Sequence, residues 1–591
     1  MDPGQEYQAR LARWTKRDQD DEQRHRRLGG LRISFAAVLI VLTLLLVRNF
    51  LGVGLAFTGL VIGLFLSGMV HDRVLKLRDK ARRGIRFYQA ELDRLADQWA
   101  GKGSPGTEFL DPHHPYAIDL DIFGTGSVFE LLNRTQTQGG RTTLADWLLH
   151  RIPADEIRGR QTAVAEMHDK LDLREDLALL TADPKAHIQT DALIAWAAAP
   201  RLPAAGPVRI VAFCLPLLTW GLLAAQEVRL FAVALAAQVV FGLLYRKRVA
   251  QVFEALTVPA HDLNWLAAIF RRLENEQFQT LRLQQLQTRC SDDGVAASAC
   301  LGRLARLLDL LDSRENFLVA LAGPFFLLGT QFAFAVETRR ARFGARIEDW
   351  LRGLGEMEAL SSLGAYAFER PEDPFPELLP DSAPARIEVE GMGHPLIPAA
   401  RAVRNDLTLD STRRLMVISG SNMSGKSTWL RALGVNMVLA MAGAPVRARR
   451  MSLTPMPLGA SIRTVDSLNE GISRFYAEIT RLRQLIQLTD QNGRLLFLVD
   501  EMLNGTNSHD RRIGAAFVVK TLLDRGAMGL ITTHDLALTQ IVEEVKSCGA
   551  NFHFEDQFLK GRMSFDYQLR PGVVEKSNAL ALMRSIGLEV R

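Results

Sequence analysis

A complete phosphate-binding loop between a strand and a helix constrains the fold of this 591-residue chain more than any other feature. The segment LMVISGSNMSGKSTWLRALG (415–434) contains the pattern G-x-x-x-x-G-K-[ST] from Gly420 to Ser427. The apolar residues before the loop predict a buried strand, and the residues after it favour a helix. Glycines let successive backbone N–H groups curl around phosphates, and the helix N-terminus attracts negative charge. The segment therefore predicts a P-loop nucleotide-binding domain, since a chance match would lack these flanking elements.

The loop residues are expected to hold ATP and Mg²⁺. Lys426 would neutralise charge on the β- and γ-phosphates, and the Ser427 hydroxyl would bind the metal ion. The predicted nucleotide-binding set from the loop is Gly420, Ser421, Asn422, Met423, Ser424, Gly425, Lys426, Ser427 and Thr428.

Two later strand ends add carboxylate and imidazole groups. The run RLLFLVDE reads as a buried strand that ends at Asp500, which would hold Mg²⁺, and the adjacent Glu501 would polarise the attacking water. The run GLITTHD ends near His534, which would sense the γ-phosphate. A solvated strand end and a surface histidine are the alternative interpretations. The order of the three motifs predicts a Mg²⁺-dependent ATP hydrolase with Lys426, Glu501 and His534 as catalytic residues.

The segments before the P-loop domain read as a largely helical body, because their apolar residues recur at i, i+3 and i+4. A proline-rich stretch at 369–384 follows, and beyond it short β-like runs alternate with helices. This alternation favours a parallel sheet. The expected fold is an α-helical core and lever region followed by a C-terminal α/β P-loop NTPase domain of the ABC-ATPase-like type.

Two pairs of apolar runs predict transmembrane hairpins. The first pair occupies 33–47 and 50–70, and the second occupies 210–225 and 230–245. A bilayer-crossing helix needs about 20 residues, so only one run has the full length. In each pair, basic residues precede the first run and follow the second. By the positive-inside rule, both ends of each hairpin are therefore predicted to be cytoplasmic. A pair of buried core hairpins is the alternative. A third apolar run, at 317–336, is interrupted by a proline and is predicted to be a soluble core helix.

Composition adds weak constraints on compartment and partners. Four scattered cysteines without CxxC spacing argue against a zinc site or a disulfide framework and fit a reducing compartment. The net charge of +5 permits contact with nucleic acid or anionic lipid without requiring either. With the apolar runs, this predicts a multi-pass protein of a bacterial-type inner (plasma) membrane, with its ATPase domain in the cytoplasm.

The nucleotide domain resembles the ATPase domain of the MutS family of DNA mismatch-repair proteins. The similar segments are GSNMSGKSTWLRALG, LVDEMLNGTNSHD, ITTHDLALTQI and YQLRPGVVEKSNALALMRSIGL. Upstream, FGTGSVFELLNRTQTQGGRTTLADWL is similar to the start of the family's helical core, LGEMEALSSLGAYAF to its end and GMGHPLI to the entry of the ATPase domain. The resemblance covers roughly 119–201 and 301–588.

The resemblance implies a homodimer in which two ATPase domains pair head to tail and a serine from one subunit completes the site of the other. Ser473 is the candidate for this contact, with a plain helix cap as the alternative. Asn422 would hydrogen-bond around the phosphates, and His394 would lie near the adenine. The implied interface residues are Ser473, Asn504, Gly505 and Thr506. DNA binding, to mismatched or branched DNA, is implied by the family alone, because no dense Lys/Arg stripe marks a groove reader.

Departures from the family leave alternatives open. The chain has a charged arm and an apolar hairpin where mismatch-scanning members carry their mismatch-binding domain, and no Phe-x-Glu segment precedes the core. The second hairpin interrupts the body roughly where levers extend towards a DNA clamp. The main expectation is a membrane-anchored MutS-like ATPase whose closure moves helical levers. An ABC-transporter ATPase, which would need the absent Leu-Ser-Gly-Gly-Gln signature, and a nucleotide-switched membrane scaffold are the alternatives.

The predicted organisation has eight segments. They are a charged arm (1–30), a transmembrane hairpin (31–71), a linker helix (72–118), the first part of the helical core (119–206), a second transmembrane hairpin (207–246), the helical lever and second part of the core (247–368), a proline-rich linker (369–384) and the MutS-like ATPase domain (385–591).

Overall fold

The chain divides into two compact units. The first is Met1–Trp99 with Glu175–Ala182, and the second is Ala100–Arg174 with Asp183–Arg591. The computed structural model describes residues 2–45, 50–180, 190–199, 205–254, 260–290, 296–312, 323–421, 423–463, 474–504, 506–545, 547–559 and 562–574.

Two long helices, α1 (Pro3–Leu45) and α2 (Phe50–Leu95), pack along each other in the first unit. Both run through boundaries predicted from the sequence. The segment boundary predicted after residue 30, between arm and hairpin, falls inside α1, and the boundary predicted after residue 71, between hairpin and linker helix, falls inside α2. Charged and apolar runs share one helix because neither helix contains a proline after its first residue.

A buried carboxylate organises the polar end of this helix pair. Glu175 accepts hydrogen bonds from Arg10 Nη1 at 2.9 Å, from Trp14 Nε1 at 3.2 Å and from the Tyr88 hydroxyl. Tyr7 and Tyr88 are fully buried beside it, with ring centroids 5.7 Å apart. A charged arm is therefore folded against α2 through a satisfied polar core.

The second unit begins with a helical body that the sequence pattern predicts. Its helices are α3 (Val128–Leu132), α4 (Gln138–Leu149), α5 (Ala154–Asp169), α6 (Leu171–Leu180, whose last residues belong to the first unit), α7 (Thr190–Ala198), α8 (Ala205–Ala224), α9 (Val228–Glu254), α10 (Ala260–Glu274), α11 (Leu281–Arg289), α12 (Ala297–Asp312) and α13 (Leu328–Glu369).

Helix α13 is the central rod of this body. It packs against α4, α5, α7, α8 and α9 along its 42 residues, and Trp350, Leu354 and Tyr366 are fully buried along it. A Cβ on Gly355 would lie 2.9 Å from the carbonyl oxygen of Gly139, so this close crossing with α4 requires a glycine.

Helices α8 and α9 form the second predicted hairpin. Their stretches Gly206–Ala224 and Val228–Val252 are long and apolar enough to cross a membrane, and only 22% and 11% of their most apolar windows are buried. Such exposure does not fit the alternative of a buried core hairpin. The first predicted hairpin lies in α1 and α2, and residues 46–49 between these helices lie outside the described residues.

The third apolar run differs from the single core helix expected for 317–336. Its first part lies outside the described residues, a short 3₁₀ helix follows at Pro324–Phe326, and α13 begins at Leu328. Trp220 Nε1 on α8 donates to the Phe325 carbonyl at 3.3 Å. The run is therefore broken, and its described part packs beside the apolar hairpin.

The C-terminal domain contains a four-stranded and a six-stranded sheet. The smaller has the order β1-β5-β2-β3, with β1 (Glu377–Leu378), β2 (Ile387–Met392), β3 (Asn405–Leu409) and β5 (Arg450–Leu453). The larger has the order β10-β9-β4-β8-β7-β6, with β4 (Leu415–Ser419), β6 (Leu458–Ser461), β7 (Leu496–Asp500), β8 (Met528–Thr533), β9 (Gly549–Leu559) and β10 (Arg562–Pro571). Helices α14 (Lys426–Ala442), α15 (Arg474–Asn492), α16 (Ser508–Asp524) and α17 (Ile541–Glu544) complete the domain.

The parallel sheet predicted from the β-like runs is confirmed for β4, β7 and β8, which pair in parallel. The run ARIEVEG is an exception, because its strand β2 pairs antiparallel with β3 and β5 in the smaller sheet. The expected proline-rich linker is also structured. Its strand β1 pairs with β5, and Asp373 forms a buried ion pair with Arg447 at 3.1 Å.

Candidate functional site

The P-loop follows the fully buried strand β4, which lies between the parallel strands β8 and β9. The loop ends at Gly425 with φ 98°, and α14 begins at Lys426. A Cβ on Gly425 would lie 2.9 Å from the Tyr567 ring. The loop conformation and the close aromatic neighbour both require glycine here, which explains the second glycine of the motif.

The Lys426 side chain lies under the loop and is 4% exposed. Its Nζ donates to the carbonyl oxygens of Gly420 at 2.8 Å and Ser421 at 2.7 Å. Burial lowers the pKa of Lys426 below its ordinary value, although the carboxylates of Glu501 and Asp500 oppose this shift. The lysine is thus held in the loop by exchangeable backbone contacts.

The loop fits a polyphosphate. The buried hydroxyl oxygens of Ser421 and Ser424 have no hydrogen-bond partner among the described residues. A buried hydroxyl normally finds a partner, and phosphate oxygens would supply one. Ser427 and Asp500 line the same cavity and provide a hydroxyl and a carboxylate, oxygen ligands that suit Mg²⁺ together with nucleotide phosphates.

Glu501 follows β7 and is oriented by two side chains from different parts of the chain. Asn504 Nδ2 lies 2.6 Å from Glu501 Oε2, and His534 Nδ1 lies 3.0 Å from Oε1. The backbone of Glu501 has φ 50°, and its N–H donates to the Thr532 carbonyl at 3.0 Å. Thr532 also donates its hydroxyl to Asp500 Oδ1, so one residue of β8 positions both acids.

The pKa of Glu501 is held below its ordinary value. Burial raises this pKa, but the hydrogen bonds from His534 and Asn504 and the nearby charge of Lys426 outweigh burial. The carboxylate is therefore ionised at neutral pH, as a residue that polarises water must be.

A cavity of about 670 Å³ brings most predicted site residues together. Among the predicted residues, it is lined by Met423, Gly425, Lys426, Ser427, Thr428, Asp500, Glu501, Asn504 and His394. His534 reaches the site through Glu501, and Thr506 lies in the loop after Asn504. Asn422, Ser473 and Gly505 lie outside the described residues, so their roles stay predictions.

His394 lines the cavity and its Nδ1 accepts a hydrogen bond from the Leu396 N–H at 3.1 Å. Burial, with a smaller effect of the Arg431 cation, lowers the pKa of His394 to about 4. The ring is therefore neutral at pH 7 and offers a polar, uncharged wall to the cavity.

Tyr567 lines the same cavity and was not singled out from the sequence. Its backbone has φ 55° at an irregularity in the pairing of β9 with β10, and its ring stacks on Phe565 with centroids 6.0 Å apart. Asn405 Nδ2 donates to the Tyr567 carbonyl at 2.9 Å, and Asn405 Oδ1 accepts from the Leu569 N–H at 2.8 Å. The similar segment YQLRPG marked the region, but only the three-dimensional structure shows the ring beside the P-loop.

Arg511 is a second residue that the sequence did not reveal. Its guanidinium donates to the carbonyl oxygens of Leu503 at 3.0 Å and Asn504 at 3.1 Å, and it lies 3.6 Å from Asp535. Leu503 and Arg511 are eight residues apart, and no sequence pattern at this spacing predicts the contact. Arg511 thereby fixes the loop that carries Asn504.

Residues on both sides of the segment 464–473 are anchored to the helical body. The segment itself contains Ser473 and lies outside the described residues. Asp119 accepts hydrogen bonds from the backbone N–H groups of Ile462 and Arg463 at 2.7 Å each, and from Arg481 Nη2 at 2.8 Å. Arg481 belongs to α15, which follows the segment. Both flanks of the predicted intersubunit contact are therefore tied to one buried carboxylate.

Comparison with known proteins identifies a family match for this domain and relatives for the chain. Residues 416–590 match the family described as MutS domain V. Endonuclease MutS2 of Thermus thermophilus is 30% identical over 292 residues, which are 47% of this chain and 38% of the relative. DNA mismatch repair protein MutS of Exiguobacterium sp. is 31% identical over 237 residues, 39% of this chain and 27% of the relative. DNA mismatch repair protein MutS 2 of Halobacterium salinarum is 31% identical over 262 residues, 43% of this chain and 29% of the relative.

The chain spans between 27% and 38% of the length of these relatives. The matched domain contains the last four residues of β4, the whole P-loop, the acidic pair after β7 and the histidine after β8. The resemblance noted in the sequence is thus confirmed: residues 416–590 match MutS domain V, and MutS and MutS2 proteins are among the relatives of the chain.

Proposed function

We propose that this chain is a membrane-anchored MutS-like ATPase that binds and hydrolyses ATP in a homodimer and couples subunit closure to mismatched or branched DNA. The geometry of Glu501 is the observation that carries the ATPase activity. An ionised carboxylate, oriented by His534 and Asn504, lies in the same cavity as Lys426 and Asp500. A scaffold that only binds nucleotide would not need such an oriented base.

The residues divide the work of hydrolysis between binding and proton transfer. Lys426 exchanges its two loop carbonyls for phosphate oxygens. The hydroxyls of Ser421 and Ser424, which have no partner among the described residues, donate to the same group. Glu501 orients the attacking water and accepts its proton, and His534 keeps the carboxylate in position. Bound at Ser427 and Asp500, Mg²⁺ would neutralise charge that develops on the phosphates.

The adenine would occupy the part of the cavity between Tyr567 and His394. The exposed Tyr567 ring offers a stacking face, and His394 offers a neutral polar edge. Aromatic stacking tolerates any base, so this contact contributes affinity more than selection between purines.

The proposal also includes a site shared by two subunits, which the similarity to MutS relatives suggests. Ser473 of one subunit would reach the phosphates of the other, and Asn504, Gly505 and Thr506 would lie at the contact. Asn504 holds Glu501 within its own chain. A second subunit that presses on this loop would therefore act directly on the residue that orients the water.

Membrane attachment and DNA coupling complete the proposal. The largely exposed apolar stretches of α8 and α9 support insertion of this hairpin into a bilayer. The first hairpin would insert as well, and the ATPase domain would lie in the cytoplasm. The names of two of the relatives, which are DNA mismatch repair proteins, support DNA as the partner.

The ATPase is tested with purified full-length protein and the variant Glu501→Gln. Wild type should hydrolyse ATP with Mg²⁺, and Glu501→Gln should bind ATP normally while losing about 10²-fold or more in kcat, because the general base is gone. The matched control is Glu543→Gln, an exposed acid on α17 that should retain full turnover. Unchanged kcat in Glu501→Gln would remove this residue from the proposed role.

A further inference from the structure

We propose that Arg404, Arg413 and Arg449 form a second phosphate-binding site in the C-terminal domain, which takes the diphosphate group of a small molecule. This site is separate from the cavity assigned to ATP. Ligand binding there requires neither ATP hydrolysis nor membrane attachment, so the inference goes beyond the proposed function.

The site is a cavity of about 400 Å³ between the two sheets of the C-terminal domain. Its walls come from β3 of the smaller sheet and from β4, β9 and β10 of the larger one. Small-molecule sites are concave and have volumes of about 300–1,000 Å³. The opening therefore has the size of a ligand pocket.

All three arginines line this cavity, and each precedes a strand by one or two residues. Arg404 precedes β3, Arg413 precedes β4, and Arg449 precedes β5. The two sheets thus bring together cations that are dispersed in the sequence. A concave surface lined by charges of one sign concentrates their potential, which here attracts anions.

Direct contacts place two of the three side chains. A Cβ on Gly391, which has φ 60°, would lie 2.6 Å from Arg449 Nε and 3.1 Å from its Cγ, so the Arg449 side chain lies directly over this glycine. The guanidinium carbon of Arg413 lies 5.7 Å from the centre of the Phe552 ring, which also lines the cavity. Arg404 and Arg413 are half-buried, and Arg449 is exposed.

None of the three guanidinium groups forms an ion pair with a carboxylate of the described residues. Asp406 also lines the cavity, but its Oδ1 accepts a hydrogen bond from the Gly391 N–H at 2.7 Å. Three arginines and this one aspartate leave an excess of two positive charges among the described lining residues. Like charges around one cavity repel each other unless an anion lies between them.

Other arginines next to the smaller sheet have partners. Arg447 pairs with the buried Asp373 at 3.1 Å, and Arg386 pairs with Glu388 at 2.6 Å. The charges of these two arginines are balanced within the fold. Unpaired guanidinium groups are therefore not a general property of this region, which supports a ligand for the three that converge on the cavity.

The chemistry of the lining favours a diphosphate. Guanidinium groups match phosphate oxygens in geometry and charge. Thr408 and Gln568 also line the cavity, and their hydroxyl and amide groups can donate to phosphate oxygens. Because the arginines come from separate walls of a cavity with room for more than one phosphate, two linked phosphates would reach more of them than a single phosphate does.

Asn405 lies between this site and the ATP cavity, because it lines both. Its side chain bonds to the Tyr567 carbonyl at 2.9 Å and to the Leu569 N–H at 2.8 Å, and Leu569 lines the new cavity. The two cavities share this asparagine but none of the three arginines. Replacing an arginine therefore leaves the lining of the P-loop cavity in place.

The test is calorimetric titration of the purified full-length protein with inorganic pyrophosphate. Wild type should bind two equivalents per chain, one at the P-loop and one between the arginines. Lys426→Ala, which lacks the P-loop lysine, should still bind one. In this background, Arg404→Gln and Arg449→Gln should each weaken the remaining binding about tenfold, the change expected when one charge-assisted hydrogen bond is lost.

The matched control is Arg386→Gln in the same background. It removes a cation that already pairs with Glu388, so pyrophosphate binding should stay unchanged. Without ligand, Arg404→Gln and Arg449→Gln should keep the melting temperature of the background, because neither breaks an ion pair. No pyrophosphate binding to Lys426→Ala, or undiminished binding after both arginine replacements, would overturn the site.

Two further titrations of the Lys426→Ala background identify what carries the diphosphate. Binding of ADP that depends on Arg404 and is tighter than that of pyrophosphate would assign a nucleotide, and weaker binding would assign an inorganic diphosphate. A DNA duplex that binds more tightly than either, and loses affinity in Arg404→Gln, would overturn the small-molecule assignment. If wild type does not hydrolyse ATP but the arginine-dependent pyrophosphate binding is present, only the proposed ATPase function fails.

Discussion

Tyr567 shows how one strained residue can shape a nucleotide pocket. An L-residue in the left-handed region costs roughly 1–2 kcal/mol, and Asn405 offsets this cost with hydrogen bonds to both sides of the irregular turn. The result is a ring that touches the P-loop at Gly425, where no side chain other than hydrogen would fit.

Removal of the Tyr567 ring should weaken nucleotide binding. Stacking of one base on an aromatic side chain contributes about 1–3 kcal/mol, so Tyr567→Ala should raise the Kd for ATP about tenfold or more, measured by calorimetry. Tyr567→Phe keeps the stacking face and should bind like wild type. Binding of tripolyphosphate, which has no base, should be equal in all three proteins. An unchanged Kd for ATP in Tyr567→Ala would place the adenine elsewhere.

Local motifs predicted the residues that follow a strand directly. Asp500, Glu501 and His534 lie at or directly after the end of a parallel strand, and Lys426 begins the helix after the loop that follows β4. The ends of such strands meet at one edge of a sheet. Tyr567 lacks that signal. Its position depends on an irregular register between β9 and β10, which a strand pattern cannot specify.

At the scale of elements, the edge strand β6 is covered by the start of the helical body. The Ala460 N–H donates to the Pro115 carbonyl at 2.9 Å, and Asp119 receives the next N–H groups of the chain. This pairing protects a sheet edge that would otherwise expose free backbone groups. It also connects the helical body to the chain that leads towards Ser473.

Loss of the Asp119 carboxylate should destabilise this connection. Asp119→Ala removes the carboxylate paired with Arg481 and leaves two backbone N–H groups without their acceptor, so the free energy of unfolding should fall by about 3 kcal/mol or more in urea denaturation. Asp121→Ala is the control, because that residue is more exposed and its ion pair with Arg463 should contribute less than about 1 kcal/mol. Equal losses in the two variants would show that Asp119 is an ordinary surface acid.

Element type was easier to predict than element length. The helical period placed helices correctly, but α1 and α2 each continue through an expected boundary because charged and apolar helical runs join without an interruption. For the third apolar run, the predicted element is instead longer than the observed one, because the structure interrupts it. The sequence shows Pro324 inside the run, but the apolar residues around it favoured one core helix, whereas Pro324 lies in a 3₁₀ helix before α13.

In the whole molecule, α13 is the longest described connection between the apolar hairpin and the neighbourhood of the ATPase domain. Its first turns contact α8 and α9, and its later turns contact α4, which in turn packs against the P-loop helix α14. The 42 residues of this helix extend over about 63 Å, so one element joins the two regions. If two subunits close around ATP as proposed, this helix would transmit the movement to the hairpin, as the proposed lever action requires.

Lever action of this kind requires a site completed by two chains, and mixing two inactive variants tests that requirement. Ser473→Ala keeps its P-loop but lacks the serine, and Lys426→Ala keeps the serine but lacks the lysine. In a mixed dimer, one site combines the intact P-loop with the intact serine. Each variant alone should be inactive, and equal mixing should restore about a quarter of wild-type ATP turnover, because half the dimers are mixed and each has one working site. Full activity of Ser473→Ala alone, or no recovery on mixing, would mean that each pocket is complete within its own chain.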